Sequence, residues 1–386
     1  MKSKPLSKRL LIVIDFPHVG GAERVALQIA THIDIDLFTP IFIAPEEGNL
    51  RRELDRLGIR AISLDLERLK RTCRYLIPVF FAIRDLIKIV KRERIDVIHA
   101  NSLWALKFCT VASFLTKVPT VAMIHAYPKI HSRAKRLFHL LTRRFCYKRA
   151  KRIIAVSNAL RQALIADKAP SEKIVVIPNG IEKDWFSDKV DLPKGKTKMI
   201  LTVGRLHPGK GQQVFLRAAA MVHAKHPNTR FVIAGDEYRT SLENLGFAQE
   251  LIDLAKQLSI SECVEFVGYT NNLRDLYRQS SIVVLASFEE TFGMVALEAM
   301  AAARPIIASR IPGITELVRD GETGLLFEAG KHEQLAESLI SLLEDGQLAR
   351  KLARGGLEAA KAEFSLERTI SQLRAVFSLS SEICSD

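Results

Sequence analysis

Two glutamates with seven residues between them, Glu290 and Glu298, stand in the stretch SFEETFGMVALEAMAAA at residues 287–303. Its second half has the Ala, Leu and Met content of a helix. The backbone amides of Thr291, Phe292, Gly293 and Met294 therefore fall at a helix N-terminus, a place that binds phosphate. Glu290 precedes the helix, where a substrate can be touched, and Glu298 lies about two turns inside it. A second loop reads Val203-Gly204-Arg205-Leu206-His207-Pro208-Gly209-Lys210-Gly211. Its rigid guanidinium and mobile ammonium, five positions apart after an apolar run, can converge on two phosphates. A third loop, His18-Val19-Gly20-Gly21-Ala22-Glu23, ends an apolar run and opens a helical pattern. Paired glycines at Gly20 and Gly21 let backbone approach a ligand, and the helix start attracts an anion. His125 follows the apolar run of VAMIHAYP, at the edge where open α/β sheets place ligands; His99 ends a similar run, so either can equally be structural. No loop carries a GK[ST] or the full GxGxxG, which argues against a Walker A site and against NAD.

These loops need strands to hold them. In the first half, apolar β-branched runs at 10–16, 40–45, 96–101, 120–126, 152–157 and 174–181 alternate with helical patterns. The second half repeats the scheme at 198–206, 230–236, 264–269, 281–287, 305–309 and 324–327. Continuous apolar strands between helices are the mark of a parallel sheet covered on both faces, so the expectation is α/β, with two doubly wound domains. Residues 182–198, rich in Lys, Asp, Pro and Gly, read as a hinge linker. The tail from Leu335 onward is helical in composition.

At 386 residues, 48% of them hydrophobic, the chain has material for two cores. The longest apolar candidate, 105–124, is broken by Lys107, Lys117 and Pro119, so no membrane-spanning run is read. The basic, apolar N-terminus lacks a small-residue cleavage site and runs into the glycine loop, which points to a cytoplasmic protein. Five cysteines, Cys73, Cys109, Cys146, Cys263 and Cys384, are widely spaced without a CxxC pair and suggest neither disulfides nor zinc. Charge is lopsided: residues 1–190 hold 35 Lys and Arg against 18 Asp and Glu, and the remainder 22 against 25. No carboxylate occurs between Asp96 and Asp167, where ten basic residues from Lys129 to Arg152 crowd one stretch. Ile130, Leu137, Phe138, Leu140, Leu141 and Phe145 recur among them at helical spacing. Such a segment either lies on an anionic membrane through Arg143, Arg144, Lys148 and Arg149 or is an ordinary half-buried helix with a solvated face.

The Glu290-x7-Glu298 segment, matched with Gly204, Arg205, Lys210 and Gly211, resembles retaining glycosyltransferases of family 4, with the GT-B fold. Supporting matches are Ser157-Asn158, PNGI from Pro178, AGD from Ala234, FVGY ending at Tyr269 and IPGITELVRDGETGLL from Ile311. The resemblance implies two Rossmann-like domains facing a cleft, 1–185 on the acceptor side and 195–365 binding the donor, with a last helix, 366–386, returning to the first. It implies a nucleotide-diphosphate sugar as donor and a glycan or lipid-linked acceptor, in polysaccharide or glycolipid biosynthesis. Arg205 and Lys210 would stabilise the leaving diphosphate, Glu290 would hold the sugar hydroxyls, and His125 would stand near the reacting centre. Glu298 would take the ribose and the backbone near Tyr269 the base, while the Gly20-Gly21 loop reaches the diphosphate. No cofactor and no metal are expected. One departure is the loop GDEYRTSLENLGF in place of the usual GDGP.

Two other readings stay open. A sugar-nucleotide epimerase shares this fold and needs no acceptor site. A nucleic-acid binder is compatible with a pI near 9.6, but no aromatic-interleaved basic motif, zinc finger or RNP sequence appears, and no nucleic-acid partner is expected.

Overall fold

The computed structural model describes residues 7–66, 76–128, 136–237, 246–270 and 272–381. They form two compact units, which divide between Asn179 and Gly180 and again between Leu366 and Glu367.

The first unit runs β1 (Lys8–Val13), α1 (Gly21–His32), β2 (Phe38–Ala44), α2 (Asn49–Arg56), β3 (Ala61–Ser63), α3 (Leu76–Arg92), β4 (Val97–Ala100), α4 (Leu103–Thr116), β5 (Thr120–Ile124), α5 (Arg136–Arg149), β6 (Arg152–Ala155), α6 (Asn158–Ala166) and β7 (Ile174–Val176). Its strands order as 3-2-1-4-5-6-7, each pair parallel. Strands such as Val97–Ala100 and Thr120–Ile124 are buried throughout because helices cover both faces. The strand order reverses between β1 and β4, and a crevice at such a reversal is where ligands bind in open α/β sheets. Serines stop the strands and start the helices: Ser102 Oγ accepts from Ala105 N at 3.0 Å and Ser157 Oγ from Leu160 N at 3.1 Å. Each such cap contributes about 1 kcal/mol, and it gives the Ser157-Asn158 pair a structural role.

The second unit runs β8 (Lys198–Val203), α7 (Gln212–Lys225), β9 (Thr229–Ala234), α8 (Phe247–Gln257), β10 (Val264–Gly268), α9 (Leu273–Gln279), β11 (Ile282–Leu285), α10 (Met294–Ala301), β12 (Ile306–Ser309), β13 (Leu325–Phe327), α11 (His332–Glu344) and α12 (Gly346–Glu363). The parallel order is 10-9-8-11-12-13, with the reversal between β8 and β11. Phe215 of α7 and Phe231 of β9, both fully buried, meet edge to face at 6.0 Å in the core. Truncating either to Ala would cost about 3–5 kcal/mol. The last helix, α13 (Leu366–Ser381), packs in the first unit, where Phe377 meets Phe38 at 6.1 Å and His99 at 5.5 Å. Among the described residues no helix is long and apolar enough to cross a membrane.

Two details differ from the reading of the sequence. The short strand β3 was not anticipated. Residues 180–185, expected with the first domain, belong to the second unit, because Ile181 N donates to Phe364 O, Leu366 N donates to Ile181 O, and Trp185 packs on Tyr277. Cys109 and Cys146 are buried free thiols, whereas Cys73 and Cys384, with Lys129, Ile130, Arg133 and Lys135, lie outside the described residues.

Candidate active site

In the second unit the loops after β8 and β11 meet at the strand-order reversal. Lys210 Nζ lies 2.5 Å from Glu290 Oε1, and Ser287 Oγ donates to the same oxygen at 2.9 Å. Both charged side chains are largely enclosed, 28% and 16% exposed, so the pair is screened less than a surface ion pair. Glycines make this approach feasible. Gly211 has φ +69°, and a Cβ there would stand 2.0 Å from the Ala286 carbonyl oxygen. Gly313 has φ +87°, and a Cβ would come within 2.5 Å of the Glu290 carbonyl oxygen. Gly313, within the PGITELV segment, is thus a support for Glu290 that the sequence analysis did not assign. The β8 loop is tied to β11's loop by Phe288 N donating to Gly209 O at 2.9 Å, and Gln212 Nε2 donates to Arg205 O at 3.0 Å. The Arg205 side chain is exposed, and Gly204 takes φ +152°.

Gly293 caps α10 in the left-handed region at φ +93°, so the helix starts at Met294 with Thr291 and buried Phe292 just before it. Glu298, one helix interior later, is buried, and the Tyr277 hydroxyl donates to its Oε2 at 2.7 Å. Tyr269 is 56% exposed just past β10.

The first unit's edge is built differently. After β1, Gly20 N donates to the carboxylate of Glu23 at 3.0 Å, and Val19 N to Asn49 Oδ1 at 2.7 Å. Glu23 is thus a capping residue of α1, a role its position three after Gly20 could have signalled, and it puts a negative charge where the glycine loop was expected to receive an anion. A Cβ on Gly21 would meet open space. His99 and His125 are joined: Asn101 Oδ1 lies 3.3 Å from His99 Nε2 and 3.2 Å from His125 Nε2, and Asn101 Nδ2 donates to Ala22 O. Burial lowers the His99 pKa to about 4, opposed by the bond to Asn101. Desolvation, then the neighbouring His99, lowers that of His125 to about 3, in a residue that is half-buried as a whole. His99 is wholly interior against Phe377, whereas His125 is the less buried of the two.

The basic stretch divides within α5. Leu141 and Phe145 are 59% and 51% exposed and share a face with exposed Arg144, Lys148 and Arg149. The Arg149 guanidinium lies 4.6 Å over the ring of Phe114, itself half exposed on α4 beside Leu115. Arg143 does not belong to this face. It is buried and paired with buried Asp167 at 3.1 Å, where the Tyr147 hydroxyl also donates to Asp167. The carboxylate-free stretch in the sequence concealed this partner, which comes from the end of α6.

Residues 19–185 match the model of Glycosyltransferase Family 4 and residues 183–358 that of Glycosyl transferases group 1. The chain belongs to glycosyltransferase family 4. This glycosyltransferase is 26% identical to a D-inositol 3-phosphate glycosyltransferase of Corynebacterium glutamicum, over 93% of this chain and 91% of the relative. It is 27% identical to an uncharacterised glycosyltransferase of Methanocaldococcus jannaschii, over 96% and 98%. Among solved structures, Anabaena HepE in complex with UDP-glucose superposes with a TM-score of 0.82 at 22% identity, covering 96% of this chain and 99% of that one. Sucrose-phosphate synthase from Thermosynechococcus elongatus gives 0.76 at 20% identity, covering 96% and 98%. Both units of this glycosyltransferase are accordingly the Rossmann-like domains of the GT-B fold.

Proposed function

We propose that this glycosyltransferase moves a sugar, with retention, from a nucleoside-diphosphate sugar to a glycan or lipid-linked acceptor in polysaccharide or glycolipid biosynthesis. The observation that carries the reading is the contact between Lys210 and Glu290. A cation suited to phosphate and a carboxylate suited to sugar hydroxyls meet at a strand-order reversal, as a donor with both parts requires. Arg205, Lys210 and the amides leading into α10 face the charge that develops on the leaving diphosphate. In this reading no metal or cofactor takes part, and fixed cations perform the task a metal otherwise serves. Glu290 holds the transferred sugar, Glu298 the ribose, and the backbone near Tyr269 the base. His125, kept neutral by desolvation, offers a hydrogen bond without a competing positive charge. The solved complexes of HepE with UDP and UDP-glucose, in the same fold, support a nucleotide-sugar donor.

A screen of UDP-, GDP- and ADP-sugars for thermal stabilisation, followed by product analysis, tests the reading. A glycoside with the donor's anomeric configuration is expected; a free sugar isomer would instead identify an epimerase. Within the site, Glu298→Gln is expected to weaken binding of the bare nucleoside diphosphate, and Glu290→Gln to leave it bound while transfer fails. Equal loss of nucleotide affinity in both variants refutes the division of roles.

The exposed Leu141, Phe145, Phe114 and Leu115 among Arg144, Lys148 and Arg149 support peripheral attachment to the cytoplasmic face of an anionic membrane, where a lipid-linked acceptor is presented. Flotation with anionic and neutral liposomes at two ionic strengths checks it. Binding only to anionic vesicles, weakened by salt and by Glu at 144, 148 and 149, is expected. Failure to bind anionic vesicles at low salt leaves a soluble acceptor.

A further inference from the structure

Glu298 is 4% exposed, and it stands on a helix of eight residues. Its Oε2 accepts the hydroxyl of Tyr277, a fully buried residue from α9. Enclosing a carboxylate is costly unless donors meet it, and a donor fixed by packing also fixes which way the carboxylate faces. Each carboxylate oxygen accepts more than one hydrogen bond, so the hold by Tyr277 is compatible with accepting a ribose hydroxyl.

Tyr277 is in turn packed against the segment that opens the second unit. The indole of Trp185 meets its ring edge to face at 5.8 Å, and the Arg274 guanidinium lies 5.1 Å over that indole. Arg274 pairs with Glu182 at 3.5 Å and with Asp184. Two residues on, Ser187 N donates to the carbonyl of Ala301, the last residue of α10, at 2.8 Å, and Lys361 Nζ donates to Ser187 O at 3.1 Å. Residues 182–187 therefore touch the helix of Glu298 twice, through its carboxylate by way of Tyr277 and through its C-terminus. These residues follow two positions after the chain crosses from the first unit at Gly180.

We propose that Tyr277 is a positioning residue for ribose recognition, and that Trp185, seated against it, ties the setting of Glu298 to the crossing segment. The proposal rests on the reading of Glu298 as the ribose ligand. An apolar ring of the same shape fills the core equally well, so the hydroxyl acts on the carboxylate while the ring carries the link to Trp185.

Calorimetry on the full chain with UDP, GDP and ADP, each beside its 2′,3′-dideoxy counterpart, tests this. The readout is the affinity ratio of the ribonucleotide to the dideoxynucleotide, which a general loss of stability does not change. The parent chain prefers the ribonucleotide. Tyr277→Phe lowers that preference by about tenfold, the effect of one hydrogen bond to a charged group, and leaves dideoxynucleotide affinity within about twofold. Trp185→Leu lowers the preference by less, and it carries the test if Tyr277→Phe does not fold. Equal weakening of both nucleotides in Tyr277→Phe, or an unchanged ratio, overturns the proposal. Glu298→Gln separates the two levels. If it retains the full preference for ribose, the reading of Glu298 fails; if it loses the preference while Tyr277→Phe keeps it, only the positioning role fails.

Discussion

At the carboxyl edge of the second sheet a lysine and a glutamate meet at 2.5 Å, whereas at that of the first two histidines share one amide oxygen. The second edge concentrates charge and encloses it with glycines that no other residue could replace without moving backbone, Gly211 and Gly313. At the first edge the histidines are held uncharged, and the glycine-loop amides are engaged by Glu23 and Asn49. The difference teaches how one fold, used twice in one chain, equips its edges differently: an enclosed ion pair on one side, uncharged imidazoles and engaged loop amides on the other.

The largest effect is expected from the first unit's interior charge. Arg143→Ala strands buried Asp167 and should destabilise that unit by about 3–5 kcal/mol. The chain has two tryptophans, Trp104 in the first unit and Trp185 in the second. In a Trp185→Phe background, Trp104 fluorescence in urea therefore reports the first unit. An unchanged midpoint would place Arg143 back on the solvent face.

Next comes the contrast in catalysis. Arg205→Ala and Lys210→Ala should each lower turnover by roughly 2–4 kcal/mol of transition-state stabilisation. Near-normal rates in either would show that the charged edge is not where the leaving group is stabilised.

Acid tests the neutral edge. His99 and His125 have folded pKa values near 4 and 3 against an ordinary 6.5. Between those limits the unfolded chain binds more protons, so stability of the first unit is present above about pH 6.5 and is lost as pH falls toward 4. With Trp104 as the reporter, His99→Gln should flatten that slope. An equally steep loss in the variant would assign it to carboxylates instead.

The smallest effects compare the two glycine loops. Gly211→Ala should cost about 1–3 kcal/mol through its left-handed backbone and the Ala286 carbonyl. Gly21→Ala, helical and facing open space, should change stability by less than about 1 kcal/mol. Urea midpoints measure both, and similar costs would erase the distinction between the loops.

How legible was this in the sequence? The buried parallel strands declared themselves, since each is a continuous apolar run between helices. The strand β3 did not, being three residues between Arg60 and Asp65 with no alternation to read. Lys210 and Glu290 could be paired only through the family resemblance, because nothing local says that two loops this far apart in the chain meet. Residues 182–198 read as linker on their Lys, Asp, Pro and Gly content, yet Trp185 anchors to Tyr277. Composition averages over a window and so hides a single anchoring aromatic. Arg143 was misplaced for the complementary reason: helical spacing shows which residues share a face but not which face is covered.

The return of α13 to the first unit also bears on how the molecule comes into being. Lys8 Nζ donates to Ser381 Oγ, and Phe377 closes over Phe38 and His99, so segments far apart along the chain are neighbours. The second unit is, in effect, a guest inserted into a host that is finished last. A nascent chain released just after residue 366 holds everything the second unit needs, yet it leaves the host's interior open at Phe38 and His99. Synthesis at about 5–20 residues per second makes that exposed interval tens of seconds long. A chain truncated after residue 366 should therefore keep the guest's fold and nucleotide binding while its host becomes prone to aggregation and to proteolysis.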